Sequence, residues 1–132
     1  MNTPIDDELL HLKHKVIDDI DSFMKLGGAE SEADPDYDPQ FDAGYDQGHV
    51  DECDQLLSKF LRDARADEGA EDSVLMKHVE HVVLALNSLD EKCGFSLIET
   101  DQREAICKLI DRTMTLSGMT PVDDCTEEWR EW

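Results

Sequence analysis

Apolar residues recur at three- and four-residue steps over four stretches of the chain, a period that marks helices. The first stretch carries Ile5, Leu9, Leu12, Val16, Ile20 and Phe23 on one stripe. Thr3 can cap it, Pro4 suits its first turn, and Asp6, Asp7 and Glu8 complement the positive end of the helix dipole. Gly27-Gly28 stops it, because glycine takes the left-handed conformation of a helix C-cap without a Cβ penalty.

The second stretch is less regular. Asp38 has the character of an N-cap and Pro39 of a first helical residue, which predicts a helix from there to about Ala66. Its buried face moves from Phe41 and Tyr45 to Cys53, Leu57, Phe60 and Ala64. Gly44 and Gly48 inside it cost about 1 kcal/mol each against alanine and predict a kink or a close helix crossing. In the third stretch Leu75, Val79, Val82, Leu86 and Leu89 form a stripe that Val74, Met76, Val83 and Leu84 widen. So broad a face predicts a central helix with neighbours on more than one side, closed by Cys93-Gly94. The fourth runs from Glu99-Thr100-Asp101 through Ala105, Ile106, Leu109, Ile110 and Leu116 to Gly118.

The residues between helices are acidic. AESEADPDYD (29–38) reads as a mobile loop, and TPVDDCTEEWREW can add one short turn after Thr126. No stretch alternates with the period of a strand. The expected fold is therefore all-α: a four-helix bundle-like single domain over residues 1–132, with an acidic loop at 29–38 and an acidic tail at 119–132.

Charge changes the picture most. The 132 residues hold 33 acids against 12 Lys and Arg, a net charge of −21. Such a surface repels nucleic-acid phosphate and anionic lipid and attracts a cationic partner. No apolar run is long enough for a membrane span, and the acidic N-terminal residues lack the basic start of a signal peptide. Cys53, Cys93, Cys107 and Cys125 form no C-x-x-C pair and read as free thiols, which points to a cytoplasmic protein. Cys125, in the tail, is the expected reactive one if exposed.

Between Ala29 and Asp54 there are ten acids and neither Lys nor Arg. The run DPDYDPQFDAGYDQGH resembles a calcium loop at Asp34, Asp36 and Asp38. Pro39 then stands where the sharp turn needs glycine, and Tyr45 where the bidentate glutamate belongs. The alternative use of such a run is electrostatic. Asp34, Asp36, Asp38, Asp42, Asp46 and Asp51 would steer a basic protein, and Tyr37 and Tyr45 would supply the desolvated anchors. Trp129 and Trp132 either fold back onto the bundle or serve as a second anchor.

Other chemistry has less support. Glu8, His11 and His14, Asp46 and His49, and the pair His78 and His81 have spacings that can ligate a metal from one helix face. On a helical wheel, however, His11 and His14 fall opposite the apolar stripe. Asp51/Asp54 and Glu68/Glu71 are spaced to share a magnesium ion, but no glycine-rich cradle or basic cluster accompanies them. No cofactor is implied. The expected function is a non-enzymatic acidic protein that binds or inhibits a basic partner protein, with metal-dependent chemistry as the alternative. In size and composition alone it is similar to immunity-type proteins that neutralise toxins and to inhibitors that mimic nucleic acid. A homodimer through the third helix or the tail is a further expectation.

Overall fold

A computed structural model describes residues 4–132, with side chains from Asp6 onward. The expected Thr3 cap and the Ile5 side chain lie outside the described residues. Four α-helices pack against one another as a four-helix bundle, and the described residues contain no strand: α1 (Pro4–Leu26), α2 (Gln47–Ala66), α3 (Asp72–Lys92) and α4 (Thr100–Leu116). Each buries one apolar stripe in a common core. Val16, Ile20, Leu57, Val79, Leu86, Leu109 and Ile110 are wholly buried there.

α1 packs against α2 and α4, and α2 also packs closely on α3. Polar side chains pin these pairs. Lys13 of α1 is buried and meets Asp54 (2.8 Å) and Ser58 (2.9 Å) of α2, and Gln102 of α4 donates to Asp19 of α1 (2.8 Å). α3 has neighbours on more than one side, but they are α2 and the tail: α3 and α4 do not pair closely, so α3 is not the central helix expected. The tail covers both instead. The buried Asn87 of α3 donates to the Trp129 carbonyl (2.7 Å) and accepts from the Glu131 N–H (3.1 Å). Asp111 of α4 accepts from the Cys125 N–H and thiol. The expected turn after Thr126 is present, with Trp129 and Arg130 N–H groups on the Thr126 carbonyl.

The largest departure from the sequence expectation is the start of α2. The helix begins at Gln47, eight residues beyond Pro39, and Asp46 caps it. Asp38 caps a turn instead. Asp34-Pro35-Asp36-Tyr37 and Asp38-Pro39-Gln40-Phe41 each close with an N–H of the fourth residue on the carbonyl of the first. An Asp followed by Pro fits the first two positions of a β-turn as well as it fits a helix start. Gly44 then takes φ +87°, where a Cβ would collide with the Ser96 hydroxyl. It is a close-contact glycine of a loop, and the expected kink or helix crossing is absent. Gly48 sits in the first turn of α2.

Candidate functional site

The segment from Glu30 to Asp51 is built on its own aspartates. Asp34 accepts N–H bonds from Glu30 and Asp36 (both 2.9 Å), Asp38 from Gln40 (2.9 Å), Asp42 from Gly44 (2.8 Å) and Asp46 from His49 (3.3 Å). The four carboxylates recur every fourth residue, and each satisfies a backbone donor in a turn or cap. His49 completes the capping box: its Nδ1 accepts from the Asp46 N–H (3.1 Å). Two amide bonds hold the Asp34 carboxyl below the ordinary carboxylate range, that from Asp36 first and that from Glu30 second.

Aromatic side chains tie this staircase of turns to the bundle. Phe41 lies over the end of α1, edge-on to Phe23 with ring centroids 5.4 Å apart, and a Cβ on Gly27 would sit 2.8 Å from its ring. Tyr45 is 7% exposed, and its hydroxyl donates to the Ile20 carbonyl (2.9 Å). Burial first, and the Asp19 charge second, raise the Tyr45 phenol far above the usual tyrosine range. Tyr45 is thus a core residue and its assignment as a surface anchor is corrected. The alternating acids around it concealed an inward-facing ring. Tyr37 remains partly exposed among the turns.

The carboxylates of this segment keep their charge uncompensated. Of the ten acids between Ala29 and Asp54, Glu52 pairs with Lys92 (3.2 Å) and Asp54 with Lys13 (2.8 Å). The other eight, from Glu30 to Asp51, have no ion pair to any Lys or Arg among the described residues. Asp51 takes only the Gln47 amide (3.0 Å). Elsewhere the scarce bases are mostly engaged: Arg112 with Glu8, Arg65 with Asp6 and Glu68, Lys59 with Asp63, and Arg130 with Asp124.

The comparisons with known proteins are negative throughout: no family model, curated protein or solved structure matches the chain.

The residues proposed for metal binding do not converge. His11 and His14 are exposed on α1, Glu8 is turned to Arg112, and His49 is used in the α2 cap. Among the described residues no three His, Cys, Asp or Glu side chains group as a metal site. The acidic pairs are likewise drawn off singly, Asp54 to Lys13 and Glu68 to Arg65. His78 and His81 do share a cleft of about 250 Å³ between α2 and α3, with Lys59, Phe60 and Asp63. There His78 Nε2 meets Asp67 at 2.6 Å, a tie between the end of α2 and α3. The Lys59 hydrogen bond holds Asp63 below the ordinary carboxylate range.

Cys53, Cys93 and Cys125 are buried and Cys107 is half-buried, and burial raises all four thiols above the ordinary range. Cys53 is pushed up to about 12, chiefly by burial. The expected reactive tail residue, Cys125, is 4% exposed and donates to Asp111 (2.8 Å). Burial and then this carboxylate raise its thiol far above the ordinary range, and the expectation is corrected. Trp129 and Trp132 are partly buried against the core, with Arg130 5.6 Å over the Trp132 ring. They lie where the tail crosses α3 and expose only part of each residue. No described helix is long and apolar enough to cross a membrane.

Proposed function

We propose that the chain is a non-enzymatic binding protein that holds or blocks a basic protein partner through the segment from Glu30 to Asp51. One observation carries this reading: eight carboxylates, on the turns from Glu30 to Asp42 and at the start of α2, stand with no Lys or Arg beside them, in a molecule whose bases are otherwise largely paired. Exposed carboxylates in water cost the fold little, but their summed field accelerates encounter with a cation. Turns at a fixed spacing also hold the charges in a set pattern. Such a pattern suits a partner surface that otherwise binds phosphates, the mode of an immunity-type or nucleic-acid-mimicking inhibitor. Tyr37 is the aromatic placed to be buried on contact.

Zero-length coupling of carboxylates to amines in a lysate of the source cell tests the reading. Lysines of one basic protein should couple to Glu30–Asp51 in preference to equally exposed carboxylates of α1 and α4. Its association rate should fall about tenfold or more between ~20 mM and ~0.5 M salt. Coupling spread in proportion to carboxylate exposure, or a partner that binds equally fast at both salt concentrations, overturns it.

A further inference from the structure

A second surface lies at the other acidic segment. The tail crosses the start of α3 and leaves a cleft of about 370 Å³ between them. Its walls are apolar: Met76 from α3 and Met119 and Val122 from the tail, with Val122 57% exposed. Its polar lining is acidic, from Asp72, Asp124 and Glu128, and contains no Lys, Arg or His.

The three carboxylates are not equivalent. Both Asp124 oxygens are engaged, one by Thr126 and the other by Arg130 (3.0 Å). Burial alone would raise the Asp124 carboxyl, but the Thr126 bonds and Arg130 hold it below the ordinary range. Asp72 spends one oxygen on the Thr120 N–H (3.1 Å). Its other oxygen and the whole Glu128 carboxylate have no partner within the described residues. The cleft therefore combines apolar walls with two available points of negative charge.

We infer that this cleft takes a lysine side chain of a basic protein partner, its alkyl stem against Met76, Met119 and Val122 and its ammonium at Glu128 and Asp72. A lysine buries a methylene stem while keeping its charge at a polar rim. The thioether walls adapt to such a stem. Arginine fits less well, because no aromatic face lines the cleft for a guanidinium to stack on. The inference rests on the proposed function only for the sign of the partner's charge.

Methyl NMR of the methionines tests it with N-acetyl-lysine methylamide, a ligand with one ammonium. The Met76 and Met119 methyl signals should shift saturably, while those of Met24 on α1 and the buried Met114 stay put. Glu128→Gln, at an exposed residue that bonds to nothing, should weaken binding about threefold, as loss of one exposed ion pair does. Asp72→Asn, which retains an acceptor for Thr120, should act in the same direction. The uncharged norleucine analogue should bind several-fold more weakly than the lysine probe. Non-saturating shifts, equal binding of norleucine, tighter binding of the arginine analogue, or indifference to Glu128→Gln each overturns the inference. A lysine-rich peptide that still perturbs Glu30–Asp51 in that event leaves the proposed function standing. A peptide that perturbs neither surface refutes both.

Discussion

Replacing Asp90 by alanine and by asparagine separates what its oxygen does from what its charge does. Asp90 is 3% exposed at the end of α3, and one of its oxygens accepts the N–H groups of Leu97 (3.1 Å) and Ile98 (3.0 Å). These bonds fold back a loop in which Gly94 and Phe95 both have φ 63°, a conformation that a residue with a side chain adopts at a cost. The same loop presents Ser96 to Gly44, so it buttresses the acidic segment. Alanine leaves two buried amide donors unpaired. At about 1–3 kcal/mol per orphaned donor, the loss is about 2–6 kcal/mol, or roughly 6 °C or more in Tm.

Asparagine keeps the accepting oxygen and loses only the charge. Burial raises the Asp90 carboxyl above its ordinary range, against the opposing pull of the Ile98 and Leu97 amides. The folded state therefore holds that proton more tightly than the unfolded chain does. Ionising Asp90 costs the fold stability at pH values above the raised pKa, and that cost is relieved as pH falls through it. Asp90→Asn should lie within ~1 kcal/mol of the parent at neutral pH. Any advantage it has there should shrink toward the ordinary carboxylate range. Urea unfolding followed by circular dichroism at neutral and mildly acidic pH reads both variants. If asparagine is as damaging as alanine, or if a deficit at neutral pH disappears as pH falls, the assignment of burial as the dominant effect is refuted.

Gly27→Ala should cost about 1–3 kcal/mol in the same assay, since the residue has φ +60° and its Cβ would meet the Phe41 ring; an unchanged midpoint would mean that Phe41 is not seated there. Asn87→Ala removes both side-chain bonds to the tail, so tryptophan emission should shift to the red and stability should drop about 1–3 kcal/mol. Emission identical to the parent's would contradict the strapping of the tail to α3.

Much of the bundle was legible in the sequence because burial and period coincide. The stripes of α1, α3 and α4 and the glycines at 27, 94 and 118 all fall where the period places them. The start of α2 was not, because Asp-Pro is ambiguous between a helix start and a β-turn. The deciding signal was present: Asp-Pro-x-aromatic occurs twice in succession, at 34–37 and 38–41, and a second turn directly after the first leaves no room for a helix. The glycines told the same story, since a helix through Gly44 and Gly48 carries a propensity cost that a loop avoids. Tyr45 was read both as part of a buried face and as a surface anchor, and only the burial holds. Composition gives the sign of a segment, while the direction of one ring within it depends on tertiary contacts such as Ile20. For the same reason the charge of the Glu30–Asp51 segment was readable, whereas the cleft beside Met76 and Met119 required the path of the tail.

The central claim is that the turn aspartates serve the fold through their oxygens and leave their charge for a partner. Asparagine in place of Asp34, Asp38, Asp42 and Asp46 retains each acceptor and removes four charges. A control that neutralises Asp18, Glu80, Asp101 and Glu104 removes the same number from α1, α3 and α4. Stopped-flow association with a lysine-rich peptide at low salt compares them directly. The account predicts that both variants fold like the parent and that the turn variant loses at least about threefold more of the association rate than the control. Equal losses in the two would show a field set by net charge alone and contradict it.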